Sequence, residues 1–225
     1  MKTKSISLRL PAAIGSVSGK YIIPDKPVCM MTLAHGAGAG MEHPFMTTLA
    51  TSLAENGIAT LRFNFPYMEH KKGRPDVPAV AHEAIEAAIH HASKQYPALP
   101  LFISGKSFGG RMSSQYLSLH HDTGVRGIIF YGFPLHKPGT PSIERAAHLK
   151  EVKEPMLFLS GTRDEFASAS HLKKVCAALP NATLTWIDGA NHAFKAGKIN
   201  TLEILVAETK DWICKNGGGC FQEKS

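Results

Sequence analysis

Three short stretches of this chain carry residues that could do acyl-transfer chemistry together. In Gly105-Lys106-Ser107-Phe108-Gly109 a serine stands between two glycines, where the apolar run Leu101-Phe102-Ile103 gives way to a helical pattern. A serine on such a sharp strand-to-helix turn presents its hydroxyl from a strained backbone, so small residues must flank it two positions away on each side. Asp164 follows in Gly161-Thr162-Arg163-Asp164 after a second apolar run, and His192 in Gly189-Ala190-Asn191-His192 after a third. Acyl transfer needs a nucleophilic hydroxyl, a base to take its proton and an acid to anchor the base. The expected roles are Ser107 as nucleophile, His192 as base and then acid, and Asp164 as the anchor. Glu165 and Asp188 compete for the acidic role. Asp164 is preferred because it directly follows the penultimate strand, whereas Asp188 reads as a strand-end residue.

The developing oxyanion needs preorganised N–H donors. One is expected from Phe108, at the N-terminus of a helix whose dipole also favours negative charge. The other is assigned to Ala37 in His35-Gly36-Ala37-Gly38-Ala39-Gly40, with Gly38 as the fallback and His35 read as structural. Lys106 puts a cation beside the nucleophile; if buried it needs a carboxylate, and Glu69 is the candidate.

Rival motifs fail on spacing. Ser104-Gly105-Lys106-Ser107 mimics the end of a phosphate-binding loop, but Pro100 stands where its first glycine is needed. Gly36, Gly38 and Gly40 miss the dinucleotide fingerprint because position 41 is Met41. His82-Glu83-Ala84-Ile85-Glu86 begins like a zinc-protease helix and ends on Glu86 instead of a histidine. His90-His91 and His120-His121-Asp122 read as solvated helix surface, not as metal ligands. No metal or organic cofactor is implied.

The elements that must position these residues alternate almost throughout. Strands are expected over 5–10, 17–23, 28–34, 59–64, 101–104, 127–131, 156–160 and 183–187, the first two as an antiparallel edge joined near Gly15. Helices are expected over 44–55, 79–94, 108–120, 142–150, 167–178 and 200–215. Continuous apolar strands alternating with amphipathic helices argue for a mostly parallel sheet covered on both faces. Between the strands ending near 131 and starting at 156 there is room for one short helix and no lid, so the site should be open.

Bulk properties narrow the class. The 225 residues suit one domain over 1–215, followed by a Gly-rich flexible tail over 216–225. The net charge of +7, with a local excess in residues 1–26 and at Lys71, Lys72 and Arg74, reads as a solvated surface or as an attraction for an anionic substrate. No basic stretch is interleaved with aromatics, so nucleic acid is not expected as a partner. The four cysteines are too few for a disulfide scaffold. Cys29 reads as a buried thiol, and Cys214 and Cys220 could pair. With no signal peptide and no apolar run of about 18 residues, a cytoplasmic protein without a membrane span is expected.

Taken together, the motifs resemble those of the small, capless α/β-hydrolase-like proteins of the KANL/TEX type, distantly akin to dienelactone hydrolases. The resemblance covers most of residues 28–213. It rests on His35-Gly36-Ala37-Gly38, Arg62-Phe63-Asn64-Phe65-Pro66-Tyr67, Gly105-Lys106-Ser107-Phe108-Gly109-Gly110-Arg111, Gly132-Phe133-Pro134-Leu135-His136, Gly161-Thr162-Arg163-Asp164 and Asn191-His192. It implies the α/β-hydrolase fold without a cap domain and the trio Ser107, Asp164 and His192. Dienelactone hydrolases use a cysteine where this chain has Ser107, so their substrate class does not carry over.

The expectation is a serine hydrolase acting on a small carboxylic ester or thioester through an acyl-enzyme on Ser107. Peptide or amide cleavage is a further enzymatic reading. Some relatives serve in larger assemblies, so the alternative is a catalytically silent binding or scaffold protein. The pocket rim is expected from the loops 41–45, 65–78, 133–139 and 165–167. Phe45, Tyr67, Met68, Phe133 and Leu135 would offer apolar contact to an acyl group, and Lys71, Lys72 and Arg74 would attract an anionic leaving group. Short or medium acyl groups should be preferred, because an open site covers little of a long one.

Overall fold

Short apolar runs rich in β-branched and aromatic residues become the strands, and alanine-rich amphipathic stretches become the helices. The computed structural model describes residues 1–217. In chain order these form β1 (Lys2–Arg9), β2 (Ser16–Ile23), β3 (Cys29–Ala34), α1 (Pro44–Glu55), β4 (Ile58–Phe63), α2 (Pro66–Glu69), α3 (Pro78–Gln95) and β5 (Leu101–Lys106). Then come α4 (Phe108–Leu119), β6 (Val125–Tyr131), a 3₁₀ segment (Glu144–Glu151), β7 (Met156–Gly161), α5 (Ala169–Ala177), β8 (Ala182–Ile187) and α6 (Thr201–Lys215).

The strands make one eight-stranded sheet in the order β1-β2-β4-β3-β5-β6-β7-β8. β1 and β2 pair antiparallel with Arg9 opposite Ser16, and β2 pairs antiparallel with β4; every pairing beyond is parallel. Side chains alternate between two cores, as the period of two requires. In β6, Ile128 and Phe130 face one core, while Ile129 and Tyr131 face the other. The first core is closed by α3, α4 and α5, and the second by α1 and α6.

This topology decides where a site can form. β4 lies on one side of β3 and β5 on the other, and the chain leaves β3 toward α1 but leaves β5 toward α4, on opposite faces. Two connections that diverge in this way open a crevice at the carboxyl ends of β3 and β5. The glycine-rich loop after β3 and the Ser107 turn after β5 flank that crevice.

The expected elements are all present, with three differences. β5 runs two residues further than expected, to Lys106, so the strand delivers the nucleophile turn directly. The segment expected as a helix over 142–150 is 3₁₀, burying Ala146 and Leu149. Residues three apart eclipse in a 3₁₀ turn, so that spacing suits it. The four-residue α2 was not anticipated, being too short to show a period. No cap interrupts the 132–155 connection, and among the described residues no helix is long and apolar enough to cross a membrane. Cys29 is fully buried. Cys220 and most of the expected flexible tail lie outside the described residues, and so does the expected pairing of Cys214 with Cys220.

Candidate active site

Ser107 sits at φ 50° and ψ −112°, a conformation disfavoured for any residue with a Cβ. The turn exists because its neighbours vanish: a Cβ on Gly105 would collide with the Gly110 backbone, and one on Gly109 with the carbonyl of Ala34. Only glycines let the end of β5, the start of α4 and the end of β3 approach so closely. Phe108 opens α4, so its N–H has no acceptor within the helix.

The second and third loops bring a base and an acid to this hydroxyl. His192 Nε2 lies 2.8 Å from Ser107 Oγ. On the other side of the ring, Nδ1 lies 2.9 and 2.8 Å from the two carboxylate oxygens of Asp164. The Asp164 side chain is 1% exposed and that of His192 13%. Asp164 Oδ1 also accepts the Phe166 N–H at 2.8 Å, which fixes the carboxylate in its own turn. The competing acids do other things. Glu165 accepts the backbone N–H of His192 at 3.2 Å, and Asp188 accepts the Thr162 hydroxyl. Asp164 is therefore the acid facing the imidazole. The Phe166 ring leans on His192 with centroids 4.4 Å apart, a contact with no signal in the sequence.

The loop after β3 is held by the Arg62-Phe63-Asn64-Phe65-Pro66-Tyr67 stretch almost residue by residue. Arg62 donates to the carbonyl of Met41 at 2.6 Å, and Asn64 Oδ1 accepts the Met41 N–H at 2.9 Å. The Phe65 N–H donates to His35 Nε2 at 3.0 Å. That bond makes Nε2 the acceptor, so Nδ1 carries the proton and donates to the carbonyl of Gly36 at 2.9 Å. Tyr67 donates its hydroxyl to the same carbonyl at 3.3 Å. Burial pulls His35 down to about 4, so the ring stays neutral in this role. The Gly36–Ala37 peptide is trans, and a trans peptide points its C=O and N–H in opposite directions. Clamping the Gly36 carbonyl therefore holds the Ala37 N–H facing away from His35 and Tyr67.

Several residues lie elsewhere than the sequence suggests. Tyr67, Phe133 and Leu135 were expected at the rim, but all three are buried. Tyr67 turns inward to reach Gly36, and Phe133 packs on Phe130 and Phe158. Their loops start at strand ends, where the core still claims large side chains. Met68 and Phe45 are half-buried. Phe45 stacks on Phe194 with centroids 5.9 Å apart, and the two rings line a groove of about 240 Å³ with Pro44, Thr48, Ala193, Thr201, Leu202 and Leu205. Lys71, Lys72 and Arg74 are exposed. Lys106 does not meet Glu69. That carboxylate accepts from the backbone and hydroxyl of Ser18 and from Asn64, while Lys106 Nζ donates to the carbonyl of His192 at 2.6 Å.

Solved structures of the same fold include a serine hydrolase without a lid from Xanthomonas campestris, with a TM-score of 0.76 and 20% identity over 96% of this chain and 95% of that one. A dienelactone hydrolase from Anabaena variabilis gives a TM-score of 0.77 at 17% identity, covering 96% of this chain and 98% of that one. In sequence, the chain is 26% identical over 201 residues to a Mycobacterium tuberculosis protein named "Putative phosphoribosyl transferase". The alignment takes in 88% of this chain and 43% of that protein, so the chain spans less than half the length of the curated relative it matches. The family described as "Alpha/beta hydrolase domain" matches residues 27–210, which take in the serine turn, the acid and the histidine loop, and the chain belongs to that family.

Proposed function

We propose that this protein is a serine hydrolase cleaving a carboxylic ester or thioester through an acyl-enzyme on Ser107. The observation that carries the reading is the hydrogen-bonded chain from Asp164 through His192 to a serine on a strained turn. Ser107 Oγ attacks the carbonyl carbon as His192 Nε2 takes its proton, and Asp164 stabilises the imidazolium. The tetrahedral oxyanion is held by the N–H groups of Ala37 and Phe108. Collapse expels the alcohol or thiol, which leaves with the proton from His192. A water molecule, deprotonated by the same imidazole, then attacks the acyl-enzyme, and carboxylate and free Ser107 are regenerated. A site without a lid covers little of a long acyl group, which favours short or medium ones.

The test is a fluorophosphonate probe on wild type and on Ser107→Ala, with p-nitrophenyl esters of increasing acyl length alongside. Labelling and turnover in wild type that vanish in the variant are expected, with rates peaking at short or medium chains. A folded wild type that neither labels nor turns over would sink the reading and favour a non-catalytic binding role for the fold. A peak at long acyl chains would overturn the chain-length expectation alone.

A further inference from the structure

We propose that Lys106 is a positioning residue of this site: its ammonium fastens the His192 loop to the serine turn. The proposal rests on the hydrolase reading for its meaning but not for its test. Lys106 is the residue before the serine, at the last position of β5. Its Nζ donates to the His192 carbonyl at 2.6 Å and stands 5.1 Å from the centre of the Phe194 ring. Its stem lies along the glycine-rich loop, 3.5 Å from where a Cβ on Gly36 would be. One side chain therefore touches the loops that bring the oxyanion donor, the nucleophile and the base.

The end of β6 is shaped around the same contact. Gly132 has φ +77°, and a Cβ there would stand 3.1 Å from Lys106 Nζ and 3.4 Å from His192 Nδ1 and Cε1. The ammonium and the imidazole thus share one small space. The charges facing Lys106 from the neighbouring elements are Asp164 and Glu165 in the β7–α5 loop, with His192 in the β8–α6 loop. Neither carboxylate forms an ion pair with it. Burial pulls Lys106 down to about 8, and the two carboxylates only partly oppose this. A buried cation costs stability that a neutral side chain would not, which argues for a role beyond packing.

The test records the His192 imidazole by ¹⁵N NMR at one fixed pH, with its signals identified through His192→Gln, in wild type and in Lys106→Met. In Lys106→Met the His192 signals should move and broaden, because the loop that carries the ring has lost its tie to the serine turn. Fluorophosphonate labelling of the variant should slow ~10–100-fold, because a small displacement of the base costs that much. Lys106→Cys treated with 2-bromoethylamine, which rebuilds the ammonium on a thioether, should regain most of the rate, with equally treated wild type as control. His192 signals identical in wild type and Lys106→Met would overturn the proposal. Loss of labelling in wild type itself would speak only against the hydrolase reading, since the NMR comparison requires no turnover.

Discussion

The two sides of the crevice are held by different kinds of chemistry. On the β3 side the glycine-rich loop is fixed by groups that do not titrate near neutrality: a neutral His35, the Tyr67 hydroxyl, the Asn64 amide and the Arg62 guanidinium. On the β7–β8 side His192 is held by charge, with Asp164 on its ring, Glu165 on its N–H and Lys106 on its carbonyl. The difference follows from what each side must do. An oxyanion donor must keep one orientation at every working pH, so it is braced by several bonds from groups whose charge does not change there. A group that picks up and releases a proton needs its charge states balanced, and only fixed charges nearby can do that.

The comparison breaks most easily at Asp164. Asp164→Asn keeps the shape but offers the imidazole the wrong partner, and kcat on p-nitrophenyl esters should fall by roughly 10⁴ with little change in melting temperature. A loss below tenfold would mean that the charged side does not depend on this acid.

A second test sharpens the β3 side. His35 is held neutral down to about 4 when folded, whereas an unfolded histidine takes its proton near 6.5. Between those values the unfolded chain binds more protons, so stability is complete above about pH 6.5 and is lost as pH falls toward 4. Burial and the nearby Arg111 pull His148 down to about 4 too, and it adds to the loss with the same sign. Denaturant titrations of wild type should lose on the order of 3 kcal/mol from His35 across this window. His35→Gln should show a correspondingly shallower decline, and an equal decline in both proteins would show that His35 is not the group responsible.

The smallest effect is expected at Tyr67. Tyr67→Phe removes one of the donors to the Gly36 carbonyl while leaving His35 in place, and kcat should drop only about three- to tenfold, with KM unchanged and the shape of the pH profile kept. A shifted pH profile would instead tie Tyr67 to the charged side.

Most of the architecture was legible because it depends on short-range pattern. The α1 boundaries, the antiparallel start through Gly15 and the strand–helix alternation follow from periodicity and glycine chemistry. So did the turn at Ser107, since two glycines at that spacing next to an apolar strand leave few other conformations. The Arg62–Tyr67 stretch was legible as a motif but not as a brace. Nothing in a linear reading tells that Asn64 reaches Met41, or that Tyr67 turns inward to Gly36 instead of facing a substrate.

By itself the sequence determined the residue types that could do this chemistry, their order along the chain and the alternating elements that carry them. These are local properties of composition and spacing. Only the tertiary structure decided which carboxylate meets the imidazole, which atom of His35 bears the proton and what Lys106 holds. In a linear pattern Asp164 could be preferred over Glu165 and Asp188 only by its place directly after a strand, and Glu69 is as plausible a partner for a lysine as any. Their separation came from the order of parallel strands, which sets loops far apart in the chain side by side at one edge of the sheet. Hydrogen bonds reach only about 3 Å, so a partner is chosen by that placement and not by residue type.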